Sequence, residues 1–202
     1  MYRFIETKGT DGAPLFFTFH GTGGRPEQLH GLAETLVPGA HVISPAGDVS
    51  ENGAARFFRR TAEGVYDMDD LHARADNMRN FITDKVARIQ PAAVFGIGYS
   101  NGANILAAVH LNGPRQFDSI ALMHPLIPWT PAENDAVKDT KVLITAGRRD
   151  PICPATMTQK LADWLTVSGA QVNLHWHEGG HELADSEVVA LQSQFAPASG
   201  AR

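Results

Sequence analysis

The sequence predicts an α/β protein in three layers, with a mostly parallel central sheet, helices on both faces and no large lid domain. Three observations lead there. Apolar runs of strand length alternate with amphipathic segments of helix length over most of the chain. The 202 residues suit one domain, 1–202, with no linker long enough to mark a second and no room for a large inserted lid. The pentapeptide Gly98-Tyr99-Ser100-Asn101-Gly102 stands where an apolar run gives way to a helical pattern, as a sharp strand-to-helix turn requires.

Strands are expected at residues 2–7, 15–19, 41–44, 93–97, 119–123, 142–145 and 171–176. Helical patterns occupy 26–36, 71–89, 102–111, 154–167 and 182–195, with Pro26 and Pro154 placed where a first turn tolerates a missing N–H. Segments 2–7 and 15–19 are separated by the turn-rich Lys8-Gly9-Thr10-Asp11-Gly12-Ala13-Pro14, which predicts an antiparallel edge hairpin. Residues 50–70 carry Arg56, Phe57, Phe58, Arg59, Arg60, Glu63 and Asp67 without clean periodicity. A loop over the carboxyl edge of the sheet has this character, so the segment is expected to line a site, with Phe57 and Phe58 as candidate substrate contacts. The tail 196–202 is expected to fray.

Composition narrows the function classes. Lys and Arg number 17 against 22 Asp and Glu, a net charge of −5, and no basic stripe points to nucleic acid. One cysteine, Cys153, excludes an internal disulfide framework. There is no signal-like start and no apolar run of membrane-spanning length, so a cytoplasmic protein without a membrane partner is expected. A homodimer has no particular support in the sequence.

The chemistry is concentrated at expected strand ends. A serine in Gly-x-Ser-x-Gly is a poor nucleophile by itself and needs a base, an orienting acid and an oxyanion site. Asp150 follows the run Val142-Leu143-Ile144-Thr145-Ala146-Gly147, and His181 follows the last strand across Gly179-Gly180. The order Ser100, Asp150, His181 makes a catalytic triad, in preference to the rival acids Asp118, Asp135 and Asp139 and the rival base His177. The oxyanion donors are expected to be the backbone N–H groups of Asn101 and Thr22, with Gly23 as the alternative to Thr22, in the turn His20-Gly21-Thr22-Gly23-Gly24. That turn lacks a P-loop ending and a Gly-x-Gly-x-x-Gly spacing, so no nucleotide cofactor is expected. His175, His177 and His181, with Glu178 and Glu182, are zinc-capable donors. Giving His181 to a metal leaves Ser100 without its base, and no metal is expected. His124, at a strand end, is a candidate border of the pocket, with a core or capping role equally open.

With these residues in order, the chain resembles the α/β-hydrolase superfamily, and within it the small lidless carboxylesterase and phospholipase/thioesterase-like group. Arg56-Phe57-Phe58-Arg59-Arg60, Glu63-Gly64 and Asp67-x-Asp69-Asp70-Leu71 are similar to the bacterial hydroquinone-resistance esterases. That resemblance implies a connection with quinone or aromatic-compound stress, and small aromatic or short-acyl esters as substrates. His124-Pro125 departs from it, since the resemblance implies a less polar residue before the proline. The expected activity is a serine carboxylesterase acting on a small-molecule ester. Two alternatives stay open: an acyl-protein thioesterase or lysophospholipase, and a ligand-sensing protein of low turnover.

Overall fold

Period-2 alternation sorts the strand side chains into two cores, one on each face of a single sheet. A computed structural model describes residues 2–196. Of the tail expected to fray, all but Ala196 lies outside the described residues. The main strands are β1 (Phe4–Thr7), β2 (Leu15–Phe19) and β3 (His41–Pro45). Four short ones follow: β4 (Val49–Glu51), β5 (Ala54–Arg56), β6 (Arg60–Ala62) and β7 (Val65–Tyr66). The chain then forms β8 (Val94–Tyr99), β9 (Ser119–Met123), β10 (Lys141–Gly147) and β11 (Gln171–His177). The helices are α1 (Glu27–Leu36), α2 (Met68–Ile89), α3 (Asn101–Leu111), α4 (Ala155–Val167) and α5 (Asp185–Phe195).

Seven strands form the sheet in the order β1-β3-β2-β8-β9-β10-β11, parallel except for β1. On one face Phe16, Val42, Ile97, Met123 and Leu143 pack with Leu29 and Ala33 of α1 and Leu191 and Phe195 of α5. The alternate residues, Phe17, Phe19, Ile43, Ile120, Leu122 and Ile144, pack on the other face with α2, α3 and α4. Phe17 sits edge-on to Phe81 and Phe117, each 6.3 Å away between ring centres. Helix α3 is buried along its whole length, between α2 and the centre of the sheet, which explains why its sequence has no polar face.

The expected hairpin between the first two strands does not form. β1 is an antiparallel edge strand, but its partner is β3, with Ile5 opposite Ser44. Both edges of β2 are taken by β3 and β8, so the outer edge of β3 is where β1 can pair. The connection crosses the start of β3, where the Gly9 N–H donates to His41 Nδ1 at 3.1 Å and the Thr10 N–H to Gly39 O at 3.0 Å. Residues 49–66 are two small hairpins rather than an irregular loop. α2 begins earlier than its apolar pattern, because the Asp67 carboxylate caps the Asp70 N–H at 3.1 Å. No helix among the described residues is long and apolar enough to cross a membrane.

The two glycines of the pentapeptide let β2, β8 and α3 come together. A Cβ on Gly98 meets the Gly102 carbonyl carbon at 2.6 Å, and one on Gly102 collides with the carbonyl oxygens of Phe19 and His20. Gly102→Ala is therefore expected to cost about 3 kcal/mol or more by overpacking, lowering Tm by roughly 6–12 °C for a chain of this size. Thermal unfolding followed by circular dichroism measures it; an unchanged Tm contradicts the close approach.

Candidate active site

Ser100 is the single residue between β8 and α3, and it turns the chain with φ 52° and ψ −117°. An L-residue at positive φ costs on the order of 1–3 kcal/mol and persists only where its surroundings impose it. Here the Ser100 N–H donates to Met123 O at 2.9 Å, and Ser100 O accepts the Asn104 N–H at 3.0 Å. The turn sets Oγ at the carboxyl end of the sheet, 2.9 Å from His181 Nε2. His181 Nδ1 lies 2.7 Å from Asp150 Oδ2. Since the carboxylate can only accept, Nδ1 carries the proton and Nε2 presents its lone pair to the serine hydroxyl.

The loops that bring His181 and Asp150 together are pinned to each other. The Arg148 N–H donates to His177 O at 2.8 Å and the Arg149 N–H to Gly179 O at 2.9 Å. Tyr99 Oη donates to the His181 carbonyl at 2.7 Å. Burial, with the nearby charges of Asp150 and Glu187, pushes the Tyr99 phenol up to about 12, so it remains a donor. Asp150 Oδ1 accepts the N–H groups of Ile152 and Cys153 at 2.8 and 2.9 Å. Burial opposes the Asp150 charge, but these bonds and those from His124 and His181 outweigh it and hold the carboxyl below its ordinary range. The rival acid Asp118 is at the opposite end of the sheet, where it accepts the Val94 N–H at 2.9 Å.

In the turn from His20 to Gly24 most N–H groups are already engaged. Gly21 N–H donates to Gln28 Oε1 at 2.8 Å, Gly23 N–H to Ala55 O at 2.9 Å and Gly24 N–H to Gly21 O at 3.0 Å. The Gly23 alternative is thereby removed, because its donor is engaged. The N–H groups of Thr22 and Asn101 have no partner among the described residues. Thr22 is braced from the side by the buried Arg56, whose guanidinium donates to Thr22 Oγ1 at 2.8 Å.

A cavity of about 280 Å³ opens at this point, with Ser100, His181, Asn101 and Thr22 in its wall. Arg56, Arg60, Glu63 and Tyr66 come to it from residues 50–70. Phe57 and Phe58, expected as substrate contacts, do not; both are wholly buried. The Phe57 N–H donates to Asn101 Oδ1 at 2.8 Å and its ring packs on His20, while Phe58 packs on Tyr66. The segment reaches the site with Arg56, Arg60, Glu63 and Tyr66, while Phe57 and Phe58 satisfy the core.

The dienelactone hydrolase family pattern matches residues 51–188. The chain belongs to the dienelactone hydrolase family. It is 35% identical over 198 residues to MhqD of Bacillus subtilis strain 168, a protein named as a hydrolase, covering 97% of this chain and 98% of that one. The fold superposes on the carboxylesterase of Bacillus cereus with a TM-score of 0.91 at 34% identity, over 96% of this chain and 93% of the other. Atu2452 of Agrobacterium tumefaciens C58, whose function is unknown, gives the same TM-score at 48% identity, over 95% and 94% of the two chains. This family member is a hydrolase of the carboxylesterase type with the α/β-hydrolase fold.

In this hydrolase His124 does not border the cavity. It is fully buried behind Asp150, with Nδ1 2.9 Å from Asp150 Oδ2 and Nε2 3.2 Å from Glu187 Oε1. Glu187 is a residue that sequence reasoning missed; in α5 it reads only as a first-turn acid, and its Oε2 accepts the Ala184 N–H at 2.6 Å. The zinc-capable donors His175, His177 and His181 do not gather at one point, since His175 Nε2 turns to Ser186 Oγ at 3.0 Å. Cys153 is a buried thiol whose pKa burial raises, and it donates to His124 O at 3.2 Å.

The buried network makes stability depend on pH. Burial lowers the His124 pKa, but hydrogen bonds to Glu187 and Asp150 outweigh it and raise the value above the ordinary 6.5. Its contribution is complete below 6.5 and is lost as pH climbs through the raised value. Burial likewise opposes the Glu187 charge, but bonds from His124, Thr145 and Ala184 lower its pKa below 4.5. The two carboxylates contribute above their ordinary 3.8 and 4.5 and lose that contribution as pH falls through the lowered values. The Tm gap between the wild type and His124→Gln is therefore expected to be widest between pH 4.5 and 6.5 and to narrow on both sides. Thermal unfolding across that range measures it; a gap independent of pH contradicts the assignment.

Proposed function

We propose that this esterase is a serine hydrolase that cleaves small carboxylic esters through an acyl-enzyme on Ser100. The observation that carries the reading is the unbroken chain of hydrogen-bonding distances, 2.9 Å from Ser100 Oγ to His181 Nε2 and 2.7 Å from His181 Nδ1 to Asp150 Oδ2. As Oγ attacks the acyl carbon, Nε2 takes its proton and the carbonyl oxygen becomes an oxyanion. The free N–H groups of Thr22 and Asn101 face that charge. The C–O bond to the alcohol then breaks, and Nε2 returns the proton to the leaving oxygen. Water repeats the sequence in the second half: it loses a proton to Nε2, adds to the acyl carbon, and Ser100 Oγ leaves with the proton restored. Asp150 stays ionised throughout and stabilises the transient imidazolium.

Cavity size supports a small substrate, because about 280 Å³ lies at the low end of ligand sites. Tyr66, Leu126 and Ile152 in the wall offer apolar surface suited to a short acyl chain or a small aryl group. Thioesters fit the same machinery, since the steps above do not depend on which atom carries the leaving group.

Ser100→Ala is expected to lower kcat by roughly 10⁴-fold or more, and an organophosphonate should label a peptide containing Ser100. Retained turnover or labelling elsewhere contradicts the mechanism. Across p-nitrophenyl esters of increasing acyl length, assayed beside acyl-CoA thioesters and a lysophospholipid, kcat/KM should peak at short acyl chains. A maximum at long chains or on the lysophospholipid overturns the small-ester assignment.

A further inference from the structure

A third imidazole stands directly behind Asp150. His124 follows β9 with φ 51°, a backbone conformation L side chains rarely adopt, and its N–H is fastened to Thr145 O at 2.8 Å. This aims the ring between two carboxylates. Nδ1 is 2.9 Å from Asp150 Oδ2, the same oxygen that receives His181 Nδ1 at 2.7 Å, and Nε2 is 3.2 Å from Glu187 Oε1. A neutral imidazole has one N–H and one lone pair, and a lone pair facing a carboxylate oxygen is repulsive. With carboxylates at both ends, both nitrogens donate and the ring is an imidazolium.

The surrounding donors leave that assignment intact. Glu187 also accepts the Thr145 hydroxyl and the Ala184 N–H, and Asp150 accepts the N–H groups of Ile152 and Cys153, so each carboxylate is satisfied without a proton of its own. His177 Nε2 is 3.5 Å from Glu187 Oε2 and 3.5 Å from His124 Nε2. Its Nδ1 accepts the Gly179 N–H at 3.0 Å, so the neutral His177 ring carries its proton on Nε2 and has no lone pair there for an ion shared with His124 and Glu187. The rings of His181 and Tyr99 stand at 5.2 and 5.9 Å from that of His124, and the Cys153 thiol donates to its carbonyl. Glu182, whose charge is felt more weakly, completes the set of titratable groups around it.

We propose that His124 is a positioning residue: as a buried imidazolium clamped between Asp150 and Glu187, it fixes the Asp150 carboxylate and offsets its charge, keeping His181 a neutral base to lower pH. The inference rests on the reading of His181 as the base. Asp150, Glu187 and His124 together carry one negative charge, and it is this sum, not the full charge of two carboxylates, that His181 meets when it accepts the serine proton. The raised pKa of His124 and the lowered ones of Asp150 and Glu187 agree with these charges.

The charges predict a pattern of signs. Removing the positive charge in His124→Gln leaves two negative ones beside His181, and the acidic limb of kcat/KM should move up by roughly one pH unit. Glu187→Gln withdraws the carboxylate that keeps a proton on His124 Nε2, so a negative and a positive charge leave together, the sum stays at one negative and the limb should stay near that of the wild type. The double variant restores the sum of the wild type and should bring the limb back toward it. The profiles are measured with p-nitrophenyl acetate on variants verified as folded by circular dichroism. A purely structural role shifts Tm and leaves the limb in place, so an unmoved limb in His124→Gln, or a double variant whose limb stays with that of His124→Gln, overturns the proposal. If His124→Gln does not fold, nitrogen NMR of histidine-labelled wild type decides: both His124 ring nitrogens should be protonated at neutral pH, and one unprotonated nitrogen overturns the proposal. Loss of turnover in Ser100→Ala with an unmoved limb in His124→Gln sinks this inference alone. Dispensable Ser100 sinks the underlying mechanism instead.

Discussion

The Asp150 carboxylate is the point on which the rest of the site depends. Its two oxygens receive hydrogen bonds from the backbone ahead of α4 and from imidazoles delivered by β9 and by the loop after β11. A buried carboxylate is tolerable only where such donors replace water, and the four donors here come from three segments. The bonds that neutralise the charge are therefore the same bonds that hold the segments in register. A short parallel ladder makes this possible, because Met123 pairs with both Tyr99 and Thr145, so β8, β9 and β10 end side by side.

Two residues at those ends, Ser100 and His124, have positive φ without being glycine. Each is held by a backbone bond to the next strand, Ser100 to Met123 and His124 to Thr145. The strain at one strand end is thus supported by the ladder of its neighbour. Glycine in either place would relieve the backbone but supply no side chain, and the side chains are what the site uses. Close approach is assigned instead to Gly98, Gly102 and Gly147, whose missing Cβ atoms make room for Gly102, for β2 and for the Gly180 carbonyl.

Around the cavity, residues 49–66 do two jobs at once. Phe57 and Phe58 fill the core over α2 and α3, while Ala55 O and Arg56 grip the turn that carries Thr22 and Gly23. The Arg60–Glu51 pair, at 2.9 Å, ties the second small hairpin to the first. The turn and its brace come from segments more than thirty residues apart, so the free N–H of Thr22 is a product of packing and not of the turn sequence alone.

Much of this was legible in the sequence, because local chemistry decides it. Alternating apolar runs and amphipathic segments determine which elements form, and Gly-x-Ser-x-Gly, Asp150 and His181 at predicted strand ends could be named from the chemistry a hydrolase needs. What depends on long-range pairing could not be read. The choice of β3 over β2 as the partner of β1 follows from which sheet edge stays open, a property of the assembled order. Phe57 and Phe58 carry the same local signal whether they face a substrate or the core. Gly23 differs from Thr22 only through a bond to Ala55, and His124 becomes charged only because folding brings Asp150 and Glu187 to its two nitrogens. Local sequence is enough to name the main strands, the helices and the candidate reactive groups; protonation, free donors and neighbours wait for the fold, because they depend on groups that meet only after the chain has folded.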